Sequence, residues 1–207
     1  TEKIPDNPYK FQVSVVQSPV VNAFALPGGY VVVFTGLMKK AESGEEVAGV
    51  LSHELNHVLQ RHGMERIVKM LGLAAVVGIL LGDQQGLTGM AKQLGMELAT
   101  LKFGRGQETE ADVTGIRLLS DARIAPDGMI RFFERLSEKD KERVELFSTH
   151  PMSAGRAERL KAELAALPKR APDPFTFEWK TVQNSLGVSE PKKLCEEREM
   201  RIGVISD

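Results

Sequence analysis

The stretch "LSHELNHVLQRH", residues 51–62, holds three of the four histidines in the chain. Ser43 followed by Glu46 reads as a capping box, and Gly63 falls where a glycine C-cap is expected. The stretch therefore belongs to a helix of roughly 44–62. Val47, Leu51, Leu55 and Val58 form one apolar stripe on it. His53 and His57, four residues apart, share a different face, with Glu54 at the shoulder between them. This is H-E-x-x-H, a spacing that lets two imidazoles converge on one ion. The requirement is severe. The fold must surround this helix and bring at least one further ligand to it from elsewhere in the chain.

His62 does not complete a three-histidine site. The metzincin pattern needs Gly at position 60 and His at position 63, where this chain has Gln60 and Gly63. His62 is read instead as a last-turn residue facing helix carbonyls and the negative end of the dipole. The best source of another ligand is "GQETEADVTG", residues 106–115. On a helix Glu108 and Asp112 share a face and Glu110 points away. One of the two carboxylates can bind a metal, and the other can hold the distal N–H of a ligand histidine.

Around these motifs, 207 residues with 42% hydrophobic content suffice for one domain with a sizeable core. A formal net charge of -1 offers no electrostatic footprint for nucleic acid, so none is expected as a partner. The lone Cys195 excludes an internal disulfide framework and a cysteine-rich zinc site. The chain starts at Thr1 without a charged n-region and apolar h-region, so no signal peptide is expected within it.

"KFQVSVVQS" (10–18), "VVNAFAL" (20–26) and "GYVVVFTGL" (29–37) read as short strands separated by Pro19 and Pro27-Gly28-Gly29, which suggests a small antiparallel sheet. Helices are expected over about 107–121, 127–139 and 153–167, the last capped by Ser153. Residues 67–82 are the most apolar stretch, but their uncharged part is shorter than the roughly 18 residues needed to span a bilayer. A buried or partner-covered helix is expected there, with a peripheral membrane contact as the alternative. The glycines after it (Gly82, Gly86, Gly89, Gly95) suggest a mobile lid. Proline and charge dominate from Pro168 onward. The expected division is a domain over 1–168 and a terminal subdomain or tail over 169–207.

His53-Glu54-x-x-His57 followed by Glu108-x-x-Ala111-Asp112 resembles the gluzincin metallopeptidases of peptidase family forty-eight, with its HtpX-type, BepA-type and prenyl-protease-type branches. "VNAFALPGG" before the helix and "STHPMSAGR" near the end extend the resemblance over most of 8–165, in the same order. The resemblance implies a mainly helical, zincin-like α+β domain with one Zn2+ per chain. It implies His53, His57 and Glu108 as ligands and Asp112 as the partner of a ligand histidine. His150 and Arg156 are implied at the active site, and Asn22, Ala23 and Phe24 on the strand where an extended substrate lies. With no complete membrane span, the soluble, periplasmic BepA-type branch is favoured. Against that branch, no helical-repeat domain follows, and the helix that precedes the sheet in the family is expected to be cut short at Thr1.

The expected activity is that of a zinc endopeptidase acting on misfolded or misassembled envelope proteins. Glu54, too close to its own helix to be the third ligand, is placed to take a proton from zinc-bound water and pass it to the leaving amine. Arg156 with His150 is the best pair to meet the oxyanion. His150 has a second reading, as a loop imidazole that fills the open metal position and holds the enzyme latent. Two rivals stand beside the enzyme: a non-proteolytic chaperone or assembly factor using the same cleft, and a structural zinc domain. Oligomeric state is not legible.

Overall fold

In the computed structural model residues 7–72, 102–139, 145–150 and 155–186 are described. Three strands come first: β1 (Gln12–Val16), β2 (Ala23–Leu26) and β3 (Tyr30–Phe34). They form one sheet in the order β1-β3-β2. β2 and β3 pair antiparallel, with Phe24 opposite Val32. β1 joins the other side of β3 in parallel, with Ser14 also opposite Val32. The sheet is therefore mixed: the β2–β3 pair is antiparallel as expected, and the parallel β1–β3 pair departs from that expectation. The run from Ser18 to Asn22 returns the chain to the far edge of β3 instead of closing a hairpin, and Gly36 N–H donates to Ser18 O on the way.

Alternation along β3 decides which face is covered. Val31 and Val33 are buried while Tyr30 is exposed. Along β1, Val13 and Val15 are both 53% exposed, so this strand contributes pairing and little core among the described residues.

Seven described helices follow β3 and α1 (Thr35–Lys40): α2 (Gly44–Leu59), α3 (His62–Leu71), α4 (Arg105–Asp121), α5 (Asp127–Lys139), α6 (Glu145–Thr149), α7 (Arg156–Ala166) and α8 (Trp179–Ser185). α2 is the central element, packed against α4, α5 and β2. Its apolar side, Val47 and Val50, meets Ile116, Leu119, Met129, Phe132 and Phe133. Its polar side is buried as well, from Ser52 through His57 apart from Leu55. Buried polar groups need partners, and two of them bond within the fold: Ser52 Oγ donates to Gly115 O, and Asn56 Nδ2 to Ser52 O.

The N-terminus of α2 is half the capping box expected. Ser43 Oγ accepts from Glu46 N–H at 3.4 Å. The Glu46 carboxylate instead accepts from Glu42 N–H and pairs with Arg135 of α5. The C-terminus is earlier than expected. α2 stops at Leu59 with Gln60 as C-cap, and Arg61 takes a left-handed conformation at φ 57°. Gly63 is not the cap but lies inside α3. That left-handed step redirects the chain, so His62 opens a new helix.

After α7 the chain returns across the N-terminal end of α2. Phe175 and Phe177 lie against Gly44, Trp179 Nε1 donates to Ala41 O at 2.9 Å, and Gln183 Nε2 donates to Met38 O and Ala41 O. Of the expected features, residues 73–101 with the proposed lid, the Ser153 cap and residues 187–207 lie outside the described residues.

Candidate metal centre

Four side chains from three separate segments meet beneath the β2 edge. His53 and His57 come from α2, Glu108 from the first turn of α4, and His150 from the end of α6. Each offers one ligand atom, and all four atoms lie within 4.8 Å of one another. The individual separations are 3.0 Å for His53 Nε2 to His57 Nε2 and 3.1 Å for His53 Nε2 to His150 Nδ1. His150 Nδ1 lies 3.0 Å from Glu108 Oε1, and Glu108 oxygens lie 3.5 Å from the Nε2 atoms of both His53 and His57. Tetrahedral zinc with ligands at roughly 2.0–2.1 Å separates its donor atoms by about 3.3 Å. The observed spacings bracket that value.

The opposite ring nitrogens explain why a cation is needed there. His53 Nδ1 lies 2.8 Å from Asp112 Oδ1, so its proton sits on that side and Nε2 presents a lone pair inward. His57 Nδ1 lies 3.0 Å from the Nδ1 of His62, so a His57 proton donated on that side would likewise leave Nε2 with a lone pair inward. Two lone pairs 3.0 Å apart in a buried site repel unless something positive lies between them. Glu108 Oε2 and Glu54 Oε1 are also buried without a hydrogen-bond partner among the described residues. Close donors, lone pairs turned inward and an orphaned carboxylate oxygen form a set that fits zinc.

Glu54 stands beside the cluster and not in it. Its Oε2 accepts from Ala25 N–H of β2 at 3.1 Å, and its Oε1 lies 3.2 Å from His150 Nε2. Behind the cluster, Arg156 is 1% exposed and lies over the Phe133 ring. Its Nε and Nη2 donate to the two oxygens of Asp112 at 2.6 and 2.7 Å, and its Nη1 is 3.4 Å from Glu108 Oε2. Phe103 stacks on the His57 ring at 3.9 Å and on the His150 ring at 5.4 Å.

Charge and burial divide these groups. Burial pushes the Glu54 carboxyl above its ordinary value, against the pull of His150 and His53. Burial also holds His57 well below the usual imidazole range, in the neutral form a metal requires. Burial alone would raise Glu108, but its contacts with His53, His150 and His57 outweigh it and depress the carboxyl strongly. Asp112 is depressed in the same way, its burial outweighed by His53 and Arg156. His150 is buried too, yet Glu54 and Glu108 raise it.

The structure thus brings together His53, Glu54, His57, Glu108, Asp112, His150 and Arg156. Arg156 stands behind Asp112, buried, with its guanidinium reaching the Asp112 and Glu108 carboxylates. Asn22, Ala23 and Phe24 lie at the start of β2, but their backbone groups alternate. Asn22 O accepts from Phe34 N–H of β3, while Ala25 N–H turns the other way to Glu54. Residues the sequence reading passed over are Ala25 and Phe103. The His62 reading is corrected: its ring meets His57 and not helix carbonyls, because Arg61 breaks the helix before it.

The family model described as Peptidase family M48 matches residues 2–164. The mitochondrial metalloendopeptidase OMA1 of Arabidopsis thaliana is 36% identical over 151 residues, covering 72% of this chain and 31% of its own. The metalloprotease LoiP of Escherichia coli is 34% identical over 152 residues, covering 70% of this chain and 60% of its own. The beta-barrel assembly-enhancing protease of Escherichia coli is 30% identical over 159 residues, covering 70% of this chain and 33% of its own. The chain therefore spans less than two thirds of each of these relatives. Among the described residues no helix is long and apolar enough to cross a membrane.

Proposed function

The chain belongs to peptidase family M48, and from that premise we propose that it is a zinc-dependent endopeptidase. His53, His57 and Glu108 hold the metal. The observation that carries the reading is the buried cluster of four inward-facing donors with the buried Glu54 carboxylate beside it. Zinc supplies Lewis-acid chemistry there, acidifying water and polarising a scissile carbonyl. Glu54 takes the proton of the attacking water on Oε1 and delivers it to the departing amine. A carboxyl raised by burial suits both halves of that transfer. Asp112 fixes the His53 tautomer, and Arg156 holds Asp112 in place.

The geometry supports His150 as a fourth donor in a resting arrangement, with its Nε2 turned to Glu54. Moved off the cluster, the same imidazole can donate to the oxyanion. The buried position of Arg156 supports a role through Asp112 and Glu108 over direct contact with substrate. An extended peptide adds to β2 beside Glu54, along the edge formed by Asn22, Ala23, Phe24 and Ala25.

Misfolded or misassembled envelope proteins are the proposed substrates. Likeness to a beta-barrel assembly-enhancing protease supports an envelope location, and likeness to mitochondrial OMA1 proteins supports an organellar one equally. One observation favours a binding-only reading: Glu54 is engaged by both Ala25 and His150. The test is cleavage of an unfolded protein, with chelator and with zinc restored. Glu54→Gln should keep bound zinc and lose at least about 10²-fold in rate. Zinc-independent cleavage, or full activity in that variant, overturns the proposal. Survival of the cellular function in Glu54→Gln favours the assembly-factor reading.

A further inference from the structure

His57 is held from outside by a partner that neither the motif nor the family match assigns. Its Nδ1 faces His62 Nδ1 at 3.0 Å, and His62 Nε2 lies 3.3 Å from Glu110 Oε2. His62 is 3% exposed, whereas the Glu110 side chain is 52% exposed. Proton placement along this line has one solution if His57 binds a metal through Nε2. Its hydrogen must then sit on Nδ1 and be donated to His62. His62 must accept on Nδ1, so its own hydrogen sits on Nε2 and is donated to Glu110.

We propose that His62 and Glu110 are positioning residues that fix the tautomer and ring orientation of His57 through this hydrogen-bonded line. They serve His57 as Asp112 and Arg156 serve His53. The inference rests on the reading of His57 as a zinc ligand. It gives α4 three distinct carboxylate duties within five residues: Glu108 toward the metal, Asp112 toward His53 and Glu110 toward His62. The same end of α4 is tied to α3 a second time, since Gln107 Nε2 donates to Glu65 Oε2 at 2.7 Å. α3 is thereby held where His62 can meet His57.

The test is zinc affinity by competition with a chelator, on the full chain, for wild type and for His57→Ala, His62→Ala, His62→Asn, His62→Leu and Glu110→Ala. Loss of a histidine's outer partner weakens metal binding by roughly 10- to 100-fold, and His62→Ala should fall in that range. Asn carries Oδ1 where His carries Nδ1, so His62→Asn should recover most of the loss. Leu fills the space without accepting a hydrogen bond, so His62→Leu should behave like Ala. Glu110→Ala should lose less than about tenfold, because its carboxylate is largely hydrated.

Tight wild-type binding with His62→Ala unchanged overturns the relay alone, as does rescue by Leu and not by Asn. A wild-type chain that binds no zinc, or a His57→Ala variant that binds as well as wild type, overturns the relay together with the metal site. Two-bond proton–nitrogen spectra of the zinc-loaded wild type give an answer that needs no variant. The relay requires His57 protonated on Nδ1 and His62 on Nε2, and a His62 proton on Nδ1 would refute it.

Discussion

The two roles proposed for His150 have opposite signs on its removal. As a latch it occupies the position a substrate needs, and as an oxyanion donor it speeds the reaction. Its Nδ1 sits 3.0–3.1 Å from two other donors, the spacing of a ligand, which supports the proposed latch as the resting arrangement. His150→Ala should therefore raise basal cleavage of an unfolded protein, and a fall of the size seen when an oxyanion donor is removed would contradict this. Asp112 gives a second residue-level test, in the chelated protein. Asp112→Asn removes the carboxylate that receives two hydrogen bonds from the buried Arg156 and should cost about 3 kcal/mol at neutral pH. The Asp112 carboxyl is depressed in the fold from its ordinary value of 3.8, so its charge contributes stability in full above that value. The contribution disappears as pH falls through the lower, folded value. Urea midpoints of the two proteins should run parallel above pH 4 and converge in more acid solution. The shared face of His53 and His57 with Glu54 at its shoulder, and that of Glu108 and Asp112, were legible in the sequence because they depend on spacing within single helices. Which carboxylate meets the histidines came only from the family resemblance. His62 was not legible, because its position depends on one left-handed residue, Arg61, and spacing rules apply only while a helix continues.

Helix α2 shows how an element can obey its pattern and still exceed it. The apolar stripe and N-cap were readable, but the burial of its polar side was not, since that burial comes from β2, α4 and α5 closing around it. Two glycines set the approach of α2 and α5. A Cβ on Gly49 would lie 2.6 Å from Met129 Cα, and one on Gly128 would lie 2.7 Å from Glu45 C. In an open helix, Gly→Ala gains about 1 kcal/mol from propensity. Here the added methyl meets backbone, and overpacking of 1–3 kcal/mol outweighs the gain. Gly49→Ala should thus lower the urea midpoint and leave the helical content of the folded state unchanged. The parallel β1–β3 pairing was equally hidden. Short strands separated by proline and glycine read as a meander, and nothing local distinguishes a return to the far edge of β3.

Across the whole molecule, the centre draws on the segments at 22–25, 53–62 and 103–112 and on His150 and Arg156, so metal binding and folding are coupled. Zinc at a hundred times its dissociation constant should add about 2.7 kcal/mol to stability. Chelation should lower the melting temperature, and restored zinc should bring it back. An unmoved transition would place the metal elsewhere or nowhere. Trp179 is the only tryptophan, and its indole is tied to Ala41, ahead of the first turn of α2, whereas His53 and His57 sit in the later turns. Its emission is consequently a built-in optical reporter of the returning C-terminal segment. That signal will follow docking of the segment and stay silent to occupancy of the histidine cluster, so fluorescence and calorimetry report on opposite ends of one helix.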